Sequence, residues 1–208
     1  MVYQLIHGKT PAEEAAYLSD HLIEVDGDFN KVIIAHLTPD GGKSISNNKF
    51  TAGRALSPDY IPTQVKRQSR LDYPLADYMS APKKAAYVSP AFKALVEQFE
   101  PGVHQFFEMS VVWRKKDVGT GFYFVVANRI DALDHAACVP PIGPNDRVFM
   151  PTYGPDDKRV FNMSQIGGAH IWSEKREIGL FISDAFRDAI FEKGLTGVKE
   201  SVRYNETA

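Results

Sequence analysis

The chain has 208 residues, 44% of them hydrophobic and 24% charged, with a formal net charge of −2. A chain of this length buries roughly 70% of the surface its unfolded state exposes, so one sizeable core is within reach and long disorder is excluded. The near-balanced charge gives no global pull toward nucleic acid or membrane, no apolar run approaches the roughly 18 residues of a membrane span, and the lone Cys138 excludes an internal disulfide.

From the N-terminus, Met1 to His7 give way to Glu13 and Glu14 before any long apolar run, so no secretory pattern is visible. With the single cysteine, this makes the cytoplasm the expected compartment. Pro11 followed by Glu13 and Glu14 predicts a helix capped by Thr10, with Ala15, Leu18, Leu22 and Ile23 as its buried stripe. Val32, Ile33 and Ile34 predict a strand over Lys31–Leu37. From Thr38 to about Lys84 the turn formers and the prolines at 58, 62, 74 and 82 predict loops and short elements. Residues 1–40 hold seven acids and two bases (2 − 7 = −5), and residues 43–84 hold eight bases and three acids (8 − 3 = +5). Such opposed patches either steer a charged partner or lie together and cancel.

The pattern sharpens after Ala85. Ala86-Tyr87-Val88 reads as a strand, and Ser89-Pro90 caps a helix whose stripe is Phe92, Leu95, Val96 and Phe99. Pro101-Gly102 stops it. His104–Trp113 and Gly121–Ala132 then read as an antiparallel hairpin, with the polar Arg114–Thr120 segment as its connection. Shorter strands are expected at Arg147–Met150, Arg159–Met163, His170–Ser173 and Gly179–Ile182. A second capped helix, Ser183 then Asp184–Lys193, precedes a last strand opening at Gly197-Val198. Val88-Ser89-Pro90-Ala91-Phe92-Lys93 and Ile182-Ser183-Asp184-Ala185-Phe186-Arg187 match in character, two strand–cap–helix units in one chain. The expected fold is α+β, with a mixed, mostly antiparallel sheet and helices packed on one face. Residues 1–84 form its acidic, loop-rich part and 85–208 its core, together one compact unit.

No histidine sits at metal-site spacing. The nearest thing to a catalytic cluster is Asp131, Asp134 and His135, which would converge on a cation if they shared a turn; the plainer reading is a polar turn with Asp134 as its cap. Gly119-Thr120-Gly121 lacks a dinucleotide fingerprint and reads as a hairpin turn, and Gly167-Gly168 lacks a phosphate loop's Lys-Ser/Thr. Cys138, between Ala137 and Val139, reads as a small buried hydrophobe. The basic clusters Lys66-Arg67 and Arg114-Lys115-Lys116 are too few and too separated for a nucleic-acid groove.

The second half resembles a bacterial immunity-protein family of polymorphic toxin systems, the eleventh in the usual numbering. The features that carry this are the Val88-Ser89-Pro90 cap and its helix, Glu100-Pro101-Gly102-Val103, the run Asn128-Arg129-Ile130-Asp131-Ala132-Leu133-Asp134, and the Ile182-Ser183 helix closing at Gly194-Leu195-Thr196-Gly197-Val198. The resemblance spans residues 85–200. It implies a protein that is no enzyme and needs no cofactor or metal. Such a protein binds the catalytic domain of a toxin delivered by contact-dependent or type VI routes, and blocks its active site or substrate path. It implies no direct contact with nucleic acid or membrane, and an interface burying roughly 1,600 Å². If the toxin is a cytoplasm-acting nuclease, its basic groove would meet Glu13, Glu14, Asp20, Glu24, Asp26 and Asp28. Two other readings stand beside it: a metal-dependent hydrolase built on Asp131, Asp134 and His135, and an adaptor that binds an effector without neutralising it.

Overall fold

A computed structural model describes residues 1–8, 22–29, 31–32, 53, 55–68, 72, 74–80, 85–143, 156–199 and 203–207. In chain order, β1 (Val2–Gln4), β2 (Ile6–His7), β3 (Leu22–Glu24), β4 (Gln64–Arg67), β5 (Tyr78–Ser80) and β6 (Ala86–Val88) precede helix α1 (Pro90–Phe99). Next come β7 (Gln105–Trp113), β8 (Lys116–Val125), β9 (Arg129–Ile130), β10 (Val160–Asn162), the single-turn helix α2 (Met163–Ile166), β11 (Ile171–Glu174) and β12 (Leu180–Ser183). Helix α3 (Asp184–Glu192), β13 (Val198–Lys199) and β14 (Arg203–Thr207) complete the described elements. The helix expected from Pro11, most of the strand expected at 31–37 and the strand expected at 147–150 lie outside the described residues.

The chain is α+β and its pairings are mixed but mostly antiparallel, as expected. The expected single sheet is two: one runs β10-β14-β1-β12-β11-β9, the other β3-β4-β7-β8-β6-β5, and β13 pairs with β2 alone. Helix α1 packs on β6 and β8 of the second sheet, α3 packs on β12 and β1 of the first, and the two helices touch.

The two sheets share a plan. Read from one end, β5-β6-β8-β7-β4 and β11-β12-β1-β14-β10 both run antiparallel, antiparallel, antiparallel, parallel. In each, a helix follows the second strand. Its cap is a serine with extended backbone, Ser89 (φ −72, ψ 165) or Ser183 (φ −72, ψ 160), whose Oγ accepts from Phe92 N at 3.1 Å or Phe186 N at 3.2 Å. The equivalent Phe92 and Phe186 meet edge to face, with ring centroids 6.0 Å apart. The likeness between residues 88–93 and 182–187 is thus structural. The strand from the chain's beginning, β1, holds the place in the first sheet that β8 holds in the second.

Three apolar clusters follow from this layout. One lies on the second sheet around Val65, Met109, Val111 and Tyr123 and takes in Phe29, Val32, Leu56 and Ile61. The central one joins α1, α3 and both sheets through Phe92, Val96, Phe124, Ile182 and Phe186. The third packs the first sheet around Phe161, Trp172 and Phe181. Each fully buried aromatic contributes roughly 1.5–3 kcal/mol relative to exposure, so the central cluster is the chief tie between the sheets.

Several local expectations are corrected. Leu22 and Ile23 are strand, not helix: they pair with Arg67 and Lys66 of β4. The stretch expected to hold loops and short elements contains the short strands β4 and β5, in keeping with that expectation. The β7–β8 connection is not the whole Arg114–Thr120 segment but the two residues Arg114 (φ 49) and Lys115 (φ 66), so Gly119 and Gly121 lie inside β8, opposite Val111 and Met109. Gly121 is there because the Tyr87 ring occupies the space a Cβ would need. The second hairpin strand stops at Val125, and Arg129–Ile130 crosses to pair in parallel with β11 of the other sheet.

Candidate functional site

The cluster suggested by the sequence forms only in part. Asp131 Oδ1 lies 2.9 Å from His135 Nε2, and Asp131 Oδ2 accepts from Arg176 Nε at 3.3 Å. Partial burial works against the charge on Asp131, but the His135 and Arg176 hydrogen bonds outweigh it and hold the carboxyl below its usual range. Asp134 faces elsewhere: Oδ1 accepts from Ala137 N at 3.1 Å and Oδ2 from Thr207 Oγ1 at 2.9 Å, capping its turn and anchoring β14. Among the described residues, no group of three His, Cys, Asp or Glu side chains could hold a metal ion. Cys138 is buried, and burial pushes its thiol up, the opposite of a poised nucleophile.

Beside this cluster Glu174 is buried, and burial raises its carboxyl to about 7 although it accepts from Ala132 N, Lys175 N and Arg176 N at 2.8–3.2 Å. A second network was not legible in the sequence. His104 Nε2 donates to Glu100 Oε2 at 2.6 Å, a direction set by His104 Nδ1, which accepts from Ala127 N at 3.1 Å. Glu100 Oε1 accepts from Asn128 Nδ2 at 3.0 Å and His170 N at 2.9 Å. Both side chains are buried, so no substrate reaches them. The network clamps the end of α1 to the start of β11, and Asp77 with Thr196 does the same for the start of β5 and the segment after α3.

Among the described residues, two surfaces have the extent a macromolecular partner needs. A groove of about 490 Å³ runs between α1 and α3, lined in part by Gln98, Phe99, Ala185, Asp188 and Glu192. The other surface surrounds β3, an edge strand of the second sheet among the described residues. Of the six candidate acids, Glu13, Glu14 and Asp20 lie outside the described residues, while Glu24, Asp26 and Asp28 flank this edge. Asp26 is engaged in holding the fold: its Oδ1 accepts from Thr63 N and Gln64 N at 2.9 and 3.0 Å, and its Oδ2 from Thr63 Oγ1 at 2.6 Å. Slight burial opposes its charge, and these hydrogen bonds prevail, lowering its carboxyl.

The same edge carries residues that charge counting missed. Tyr60 and Val25 are each 52% exposed and Ile23 39%. Tyr60 sits in the left-handed region at φ 67, and its carbonyl accepts from Asp28 N at 2.7 Å. Gly27 closes this turn, where a Cβ would come within 2.7 Å of Tyr60 O and Pro62 N. The signal that could have found Tyr60 is an aromatic residue bracketed by Pro58 and Pro62.

No curated protein matches the chain in comparison. The model of the immunity protein family Imm11 matches residues 46–201, extending the resemblance seen at 85–200 back through β4 and β5. The match covers three quarters of the sequence and most strands of each six-stranded sheet, leaving out β1, β3 and β14, and on it the chain belongs to the Imm11 immunity protein family.

Proposed function

We propose that the chain binds the catalytic domain of a bacterial toxin and neutralises it by covering the active site or the substrate path. The family match over residues 46–201 carries this reading. In this reading the protein is not an enzyme and acts in the cytoplasm on an effector such as a nuclease, delivered by a contact-dependent or type VI route. The acids of the N-terminal region, Glu13, Glu14, Asp20, Glu24, Asp26 and Asp28, steer it onto a basic surface. Asp26 contributes through its field, since its oxygens are already engaged by Thr63 and Gln64.

The test is co-expression with the product of a gene neighbouring this chain's own, tried as the candidate toxin domain. Growth is expected to recover with the chain present, and the purified chain is expected to bind an active-site-dead form of that domain tightly. A toxin domain that kills equally well in its presence, with no binding, sinks the proposal. Reversing Glu13, Glu14 and Asp20 to Lys is expected to slow association about tenfold at low salt and less at high salt, because screening weakens steering. An unchanged rate and salt dependence would remove these acids from the interface.

A further inference from the structure

We infer that the toxin seats on the β3 edge with Tyr60 as its anchor, the acids around it setting only the sign of the partner. This rests on the neutralising role proposed above.

An exposed tyrosine in the left-handed region is uncommon, and here the backbone is held there from two sides. Asp28 N donates to the Tyr60 carbonyl, and the Gly27 turn packs against the same carbonyl and Pro62. The residue therefore stands half exposed on a fixed backbone, with Lys31 Nζ 5.7 Å from its ring centroid, and the equally exposed Val25 and the exposed Ile23 belong to the segment leading into the same turn. A half-exposed tyrosine on a rigid support is what an interface anchor needs: large area, little freedom lost on binding, and one polar tip.

The rim selects the occupant. Glu24, Asp26, Asp28 and Asp59 surround the patch against two bases, Lys31 and the Lys66 paired with Ile23, a local balance of 2 − 4 = −2. The complementary surface is an apolar notch rimmed by lysine or arginine. A protein that binds polyanionic nucleic acid would carry such a surface beside its substrate path.

The experiment measures binding of the active-site-dead toxin domain by titration, alongside melting temperature, for the full chain and three variants. Tyr60→Ala is expected to weaken binding about 30-fold or more. Tyr60→Gly is expected to weaken it as much while leaving the melting temperature unchanged or raised, since glycine accepts φ 67 without strain. Tyr60→Phe should keep most of the affinity. A ring needed only for folding gives the opposite pattern, a lower melting temperature with affinity kept, and that overturns the inference. So does affinity within twofold of the parent chain for Tyr60→Ala, or Tyr60-dependent self-association in sedimentation, which would assign the edge to a second copy. If the parent chain itself neither binds nor protects, the neutralising role falls and the anchor falls with it.

Discussion

Glu174 is the residue at which stability should answer to mild changes of pH. Its carboxyl titrates near 7 in the fold, against 4.5 in the unfolded chain. Between those values the folded state holds a proton that the unfolded state has released, so the slope of stability with pH is negative. The contribution is fully present below about 4.5 and is lost as pH rises through about 7, a change of roughly 3 kcal/mol over the window. Asp131, Asp26 and Asp184, whose carboxyls are held below their usual range, act the other way, losing their contribution only as pH falls through their lowered values. Denaturant melts of the parent chain from pH 4.5 to 7.5 should show stability declining with pH. In Glu174→Gln, which cannot release a proton, the decline should flatten; an unaltered profile would assign it to another group. Glu100 makes a different prediction. Removing its side chain takes the Glu100 acceptor from buried His104 Nε2 and from His170 N, while Asn128 Nδ2 keeps the Ile171 carbonyl at 3.0 Å. Glu100→Ala should therefore cost about 2–4 kcal/mol, far more than the roughly 0.5 kcal/mol of an ordinary surface change. A melting curve like the parent's would show that the clamp is dispensable.

At the scale of elements, the β7–β8 turn holds a cost the sequence does not advertise. A two-residue hairpin turn with left-handed backbone at both positions favours Asn-Gly; here the pair is Arg114 and Lys115. Exchanging the pair for Asn-Gly should raise stability by about 1 kcal/mol, less whatever the Arg114 stacking on Trp113 at 4.4 Å contributes. Thermal melting checks it, and a fall would mean that the stacking outweighs the strain. This turn also explains what could be read in advance. Helices α1 and α3 were legible because cap, apolar spacing and stop signal agree within ten residues. The hairpin was legible as a pair but not in its register, because the basic pair carries no turn signal and Gly119 and Gly121 carry a false one. Leu22 and Ile23 fitted a helical stripe, and only their pairing with β4, more than forty residues away, makes them strand. The Asp131–His135 contact was visible at i, i+4, whereas Glu100's partners at 128 and 170 are set by the two sheets meeting. Tyr60 was hidden because exposure and a left-handed backbone are properties of the folded turn.

For the whole molecule, the shared plan of the sheets has a consequence for chain order. In the second sheet, β4, β5, β6, α1, β7 and β8 follow one another without interruption. In the first, β10, β11, β12, α3 and β14 follow one another, but the place of β8 is taken by β1 from the opposite end of the chain. The Met1 ammonium lies 3.0 Å from Glu206 Oε1 and 3.3 Å from Asp184 Oδ2, so the two ends of the described chain are neighbours. Joining residue 208 to Met1 through a short Gly/Ser linker and opening the chain between Gly8 and Lys9 would make the first sheet's strands as continuous as the second's. The permuted chain loses only the ammonium's partly exposed ion pairs, worth at most about 1 kcal/mol each. Its circular dichroism should match the parent's, and its melting temperature should lie within roughly 4–8 °C. Deleting residues 1–8 instead removes Val2, which is fully buried, and takes from β12 and β14 the strand that both pair with, so that variant should lose cooperative melting. The two outcomes belong together: if the permutant collapses as the deletion does, β1 must be in place before the rest of the chain folds, and the equivalence of β1 with β8 is one of final position only.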